Sequence, residues 1–71
     1  MTTQNYYQAI TDAWRLMHKY LDTPASDGMY AALVKDSRDL VKKYDNSRFV
    51  FEITDAVMWE VGRVKQEAQD D

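Results

Sequence analysis

Apolar residues recur along this chain in three blocks of helical period, separated by two short turn-forming stretches. Over residues 3–21, Tyr6, Tyr7, Ala9, Ile10, Ala13, Trp14, Leu16, Met17, Tyr20 and Leu21 fill one half of a helical wheel centred on Ile10. Gln8, Thr11, Asp12, Arg15, His18, Lys19 and Asp22 fill the other half. The pattern predicts a first helix packed on two neighbours, capped by Thr2 or Thr3. Pro24 biases Thr23 away from helical backbone, so the helix is expected to stop at Leu21 or Asp22.

The second block predicts a helix over residues 27–44, with Ser26 as its cap and Asp27 favourable at the positive end of its dipole. Met29, Tyr30, Leu33, Val34, Ser37, Leu40, Val41 and Tyr44 share one side. Ser37 inside that stripe is read as a small residue admitting a neighbouring helix, its hydroxyl bonded to the carbonyl four residues back. On the outer side, Asp39 and Lys43 stand at the favourable i, i+4 spacing.

Asp45, Asn46 and Ser47 supply the second turn, with Asn46 or Ser47 capping a third helix over residues 48–69. Phe49–Thr54 also alternates in the manner of a short strand, but no second strand candidate exists to pair with it. The third helix carries more large apolar residues than one face uses. Phe49, Val50, Ile53, Val57, Val61 and Val64 form the expected core stripe. Phe51 and Met58 lie about a quarter-turn off it, and Trp59 lies nearly opposite, at 100° per residue. Gly62 costs about 1 kcal/mol relative to alanine in a helix interior, which suggests a close backbone approach there. The tail, Gln66–Asp71, is expected to fray.

Short connections favour antiparallel neighbours, so the pattern gives one domain over residues 1–71: an all-α, antiparallel three-helix bundle. A chain of 71 residues buries only about 60 % of its unfolded surface and is marginally stable alone. Small domains add disulfides, a metal or self-association. The first is ruled out by the absence of cysteine, and a single histidine makes structural zinc improbable. Self-association is the support left, and Phe51, Met58, Trp59 and Gly62 are its candidate residues.

Candidate chemistry is sparse. His18, four residues from both Trp14 and Asp22, reads as a surface histidine stacked on an indole rather than as a base or half of a metal site. The carboxylate pairs Glu52/Asp55 and Asp36/Asp39 read as solvated faces. With Gly28 and Gly62 the only glycines, no glycine-rich phosphate loop can form. No catalytic residue, cofactor or metal ligand is assigned, and the expectation is a non-catalytic interaction or scaffolding module.

Charge qualifies this only slightly. The net charge is −3 and the pI about 4.9. Residues 35–48 are net positive, whereas 49–71 are strongly negative. Lys35, Arg38 and Lys42 cluster on the outer face of the second helix, so a small nucleic-acid-binding domain is the alternative, although Asp36 and Asp39 interrupt the patch. An acidic inhibitor of a nucleic-acid-binding protein is a further alternative, drawn from the carboxylates near the C-terminus. Residues 1–5 lack the basic start and apolar run of a signal peptide, and charges break every apolar stretch. The expected setting is therefore cytoplasmic, without a membrane, in the manner of a small bacterial or phage accessory protein. A homodimer or a complex with another protein is the expected assembly.

Overall fold

The computed structural model describes residues 1–69 and consists of three helices, α1 (Thr3–Leu21), α2 (Asp27–Lys43) and α3 (Arg48–Gln69). Asp70 and Asp71, the end of the tail expected to fray, lie outside the described residues; α3 itself continues through Gln69. Phe49–Thr54 is the first part of α3 and not a strand; Ser47 receives its leading amides, the hydroxyl that of Val50 and the carbonyl that of Phe51.

The boundaries follow from local chemistry. Thr2 caps α1 by accepting from the Asn5 amide, and the Asn5 side chain closes a capping box back to Thr2. The Ser26 hydroxyl accepts from the Met29 amide at 3.0 Å, and Asp27 stands in the first turn of α2. At its other end, α2 stops one residue earlier than expected, with Tyr44 as its C-cap. Asp45 and Asn46 then take φ of 57° and 60°. The Asn46 amide reaches the Val41 carbonyl at 2.9 Å and the Asp45 amide the Lys42 carbonyl at 3.0 Å, a Schellman closure with aspartate where glycine is usual.

The helices run up, down and up. Asp12 on α1 meets Lys43 and Tyr44 at the far end of α2, while Tyr20 and Lys19 meet Asp36 nearer its middle, so α1 and α2 are antiparallel. Tyr6 packs edge-on against Phe49, with ring centroids 5.0 Å apart, and Lys65 donates to the Leu21 carbonyl, so α1 and α3 run in the same direction. One buried cluster joins Ala13, Leu16, Tyr20, Met29, Leu33, Val57 and Val61. A second joins Ala9, Tyr44 and Val50, and half-buried Leu40 and Ile53 bridge the two. No helix among the described residues is long and apolar enough to cross a membrane.

Three expectations are corrected. The face α1 buries is not centred on Ile10, which is 54 % exposed; it runs through Ala9, Ala13, Leu16 and Tyr20, about a quarter-turn away. The alanines let α1 approach its neighbours closely, and the long side chains of Tyr7, Ile10 and Trp14 are left on the outside. Next, the Ser37 hydroxyl, though buried, has no hydrogen-bond partner. It is Thr54, facing it from α3, that bonds back to its own helix, at Val50 and Phe51. Finally, Lys43 pairs with Asp12 across the helices at 2.8 Å, while Asp39 takes Lys35 at 3.1 Å. Asp12 is held in place by Tyr44 as well, which makes it the better partner for Lys43.

Candidate docking groove between α2 and α3

Antiparallel packing of α2 on α3 leaves an apolar trough along their outer junction. Its middle section is lined by Val34, Ser37 and Val41 from α2 and by Phe51, Thr54 and Met58 from α3, with Arg38, Lys42 and Asn46 at the rim. Its floor is low because Ser37 and Thr54 are small and fully buried. Toward the C-terminal half of α3 it opens into a broader concavity of about 1080 Å3 around Met58, Trp59 and Gly62, with Tyr30 on the α2 side. Both sections are open to solvent, unlike the enclosed pockets that bury most of a small ligand.

The residues picked out from the sequence divide as follows. Phe51 is 57 % exposed and Trp59 75 % exposed. Met58 is half-buried, with part of its side chain packed on the main core cluster, so it supports the fold as well as the groove wall. Gly62 meets no neighbour: an added Cβ would find no atom within 4 Å. The close approach expected at Gly62 is therefore absent within this chain. Trp59 lies off the Phe51–Met58 stripe, as its helical angle requires, yet it borders the same broad concavity as Met58 and Gly62.

The basic cluster separates too. Lys35 is tied to Asp39, and that hydrogen bond raises its ammonium above the ordinary value. Arg38 and Lys42 make no side-chain ion pair among the described residues and stand at the groove rim near Phe51. Asp55, Glu60 and Glu67 border the broad concavity. Arg63 lies between the two glutamates, bonded to both, and hydrogen bonding to Glu60 and then Glu67 raises its guanidinium still further. The groove is thus positive beside Phe51, where Arg38 and Lys42 stand.

Outside the groove the chemistry is modest. His18 stacks on Trp14, with ring centroids 5.1 Å apart at 15°, and reaches Asp22 at 3.5 Å, all of them exposed. No group of three or more metal-capable side chains forms among the described residues. Tyr7, Ile10 and Trp14 make a second exposed apolar stripe, on α1.

The residues singled out in the sequence, Phe51, Met58, Trp59 and Gly62, all belong to the α3 side of the groove. Tyr30 and Val34, both 37 % exposed, share the apolar stripe of α2, and the periodicity does not separate them from its buried members. The available signal was Ser37: a small polar residue in that stripe lowers the floor of a groove as readily as it admits a neighbour. No family model, curated protein or solved structure matches this chain.

Proposed function

We propose that this chain is a non-catalytic protein-docking module that works through the α2–α3 groove and associates with a second copy of itself. The observation that carries the reading is the exposure of Phe51 and Trp59 beside a small-floored apolar trough that no helix among the described residues covers. Aromatic and methionine side chains are enriched at the centres of protein interfaces. Contiguous apolar surface of this kind marks interaction sites on small proteins. A standard interface takes about 800 Å2 from each partner. That is about a sixth of the 5141 Å2 this chain exposes.

Sedimentation equilibrium or light scattering over a concentration series tests this directly. A dimer at micromolar concentration is expected for the wild type, and a folded monomer for Phe51→Asp, whose side chain contributes little to the core. Met58→Asp should also dissociate the dimer, with some loss of stability because Met58 touches the core. A wild-type chain that stays monomeric throughout would defeat the self-association reading.

A second reading, nucleic-acid binding, draws on the unpaired Arg38 and Lys42 at the rim. It requires affinity that falls steeply with salt, because phosphate contacts release counterions. Replacing Arg38 and Lys42 by glutamate should then abolish binding.

A further inference from the structure

We propose that α1 and α2 are two copies of one helical unit, closed on each other about an internal two-fold axis. In this arrangement α3 spans the axis with two equivalent aromatic seats, one filled by Phe49 and the other open over Gly62. The inference stands whether or not the chain associates with itself.

Moving 24 positions along the chain carries α1 onto α2. Residues 12–20 read Asp-Ala-Trp-Arg-Leu-Met-His-Lys-Tyr, and residues 36–44 read Asp-Ser-Arg-Asp-Leu-Val-Lys-Lys-Tyr. The same step takes the cap Thr2 to the cap Ser26, and Tyr6 to Tyr30. Burial repeats as well: Ala9, Ala13 and Tyr20 are buried, and so are Leu33, Ser37 and Tyr44. Trp14 against Arg38 and Arg15 against Asp39 depart from the repeat where both members are exposed, while Ala9 against Leu33 changes volume within the core. Helical period alone repeats an apolar stripe, but it does not set the same aspartate, lysine and tyrosine at the same three positions.

The bonds between the helices are reciprocal. Asp12 on α1 accepts from Lys43 at 2.8 Å and from Tyr44 at 2.7 Å on α2, while Asp36 on α2 accepts from Lys19 and Tyr20 on α1. Exchanging each residue for its counterpart turns one clasp into the other, the signature of a two-fold contact. The axis passes between Leu16 and Leu40, midway between the clasps.

Packing beneath α3 follows the same axis. Ala9, Tyr44 and Val50 form one buried cluster; Leu33 and Tyr20, the counterparts of the first two, lie in the other cluster with Val61. The axis therefore crosses α3 midway between Val50 and Val61, at Asp55 and Ala56, and exchanges Ile53 with Met58, both packed on the main core cluster. It also exchanges Phe49 with Gly62. The Phe49 ring meets Tyr6 edge-on, with centroids 5.0 Å apart at 82°. At the other end Tyr30, the counterpart of Tyr6, borders the concavity that Gly62 lines, and a Cβ added to Gly62 meets no atom within 4 Å. Tyr30 thus stands as Tyr6 does, without a second ring from α3.

Urea denaturation of the full chain in dilute solution at neutral pH tests both parts. Double-mutant cycles with Asp12→Ala and Tyr44→Phe at one clasp, and Asp36→Ala and Tyr20→Phe at the other, should give couplings that agree within about threefold in the unfolding constant. A larger difference would overturn the equivalence of the two helices. Gly62→Phe puts a ring in the open seat. Phenylalanine has a lower helix propensity than alanine, so any stability of Gly62→Phe beyond that of Gly62→Ala comes from contacts of the ring. An edge-on pair with Tyr30 should make that excess about two- to tenfold in the unfolding constant, and Tyr30→Ala should abolish it. No excess, or an excess that survives Tyr30→Ala, would overturn the second seat and the extension of the axis across α3.

Discussion

Gly62→Ala puts the two states of the chain in opposition. In the isolated protein the added methyl meets no atom within 4 Å, so no clash and no packing gain enter. What remains is helix propensity, about 0.8–1.0 kcal/mol in favour of alanine in a helix interior. Gly62 lies seven residues from Gln69, the last described residue of α3, and near a helix end the gain falls to about 0.5–1 kcal/mol. For a domain of this size, 1 kcal/mol moves the melting temperature by about 4–8 °C. Dilute samples should therefore melt about 2–8 °C higher than wild type by far-ultraviolet circular dichroism. At concentrations where the wild type associates through the groove that Gly62 borders, the methyl stands on the docking surface, and the advantage should shrink. A lower melting temperature in dilute solution would mean that the glycine is crowded within its own chain. An advantage that does not change with concentration would mean that Gly62 lies outside the docking surface.

Other substitutions test the fold itself. Ser37→Ala removes a buried hydroxyl that has no partner and should raise stability by about 1 kcal/mol, seen as a higher urea midpoint; a loss would reveal a hydrogen bond made by that hydroxyl. Asp45→Gly relieves a side chain held at φ 57° and should gain about 0.5–1 kcal/mol in the same assay. The carboxyl of Asp36 is held below its ordinary pKa by the Tyr20 hydroxyl, with Lys19 adding to the effect against the opposing push of burial. Burial pushes Asp12 up, but hydrogen bonds from Lys43 and Tyr44 outweigh it, and the net direction is again down. Folded values below the unfolded ones mean that this stability is complete above about pH 5, where both unfolded carboxyls are ionised, and drains away as pH falls through the folded values. Asp36→Asn should therefore cost about 1 kcal/mol at neutral pH and flatten the acid limb of a stability–pH curve; an unchanged acid limb would refute the linkage.

The three helices and their ends were legible because each depends on neighbours in sequence. Thr2, Ser26 and the Asp45–Ser47 turn act within a few residues of themselves. The direction in which α1 faces was not legible. Its apolar arc covers half the wheel, and periodicity alone cannot tell whether the alanines or the aromatics turn inward. That choice belongs to the partner helices, whose buried residues include, beside Met29 and Leu33, the small Ser37, Val50, Thr54, Val57 and Val61, which favour close approach. The lone hydroxyl of Ser37 was also out of reach, since its helical back-bond is sterically open to any serine and only the packed arrangement decides whether it forms. On α3 the surplus was readable because Phe51, Met58 and Trp59 exceed any single face, whatever α3 packs against.

Close approach also explains why the aromatics are outside. Interiors pack at crystal-like density, so where helices meet on alanine, serine, threonine and valine little volume is left for rings between them. Only Tyr20 and Tyr44 are buried among the aromatics, and each lies at a helix junction where its hydroxyl reaches an aspartate, Asp36 or Asp12. Tyr6, Tyr7, Trp14, Tyr30, Phe51 and Trp59 are all exposed. A chain that economised on surface would exchange these for polar residues at little cost to a core they do not enter. Of these, Tyr30, Phe51 and Trp59 border the groove, and burial against another molecule accounts for them, because rigid rings supply contact area at low entropic cost. Replacing Phe51 and Trp59 together by serine should accordingly leave the monomer's denaturation midpoint within about 0.5 kcal/mol of wild type while removing association. A large loss of monomer stability would instead assign those rings to the fold.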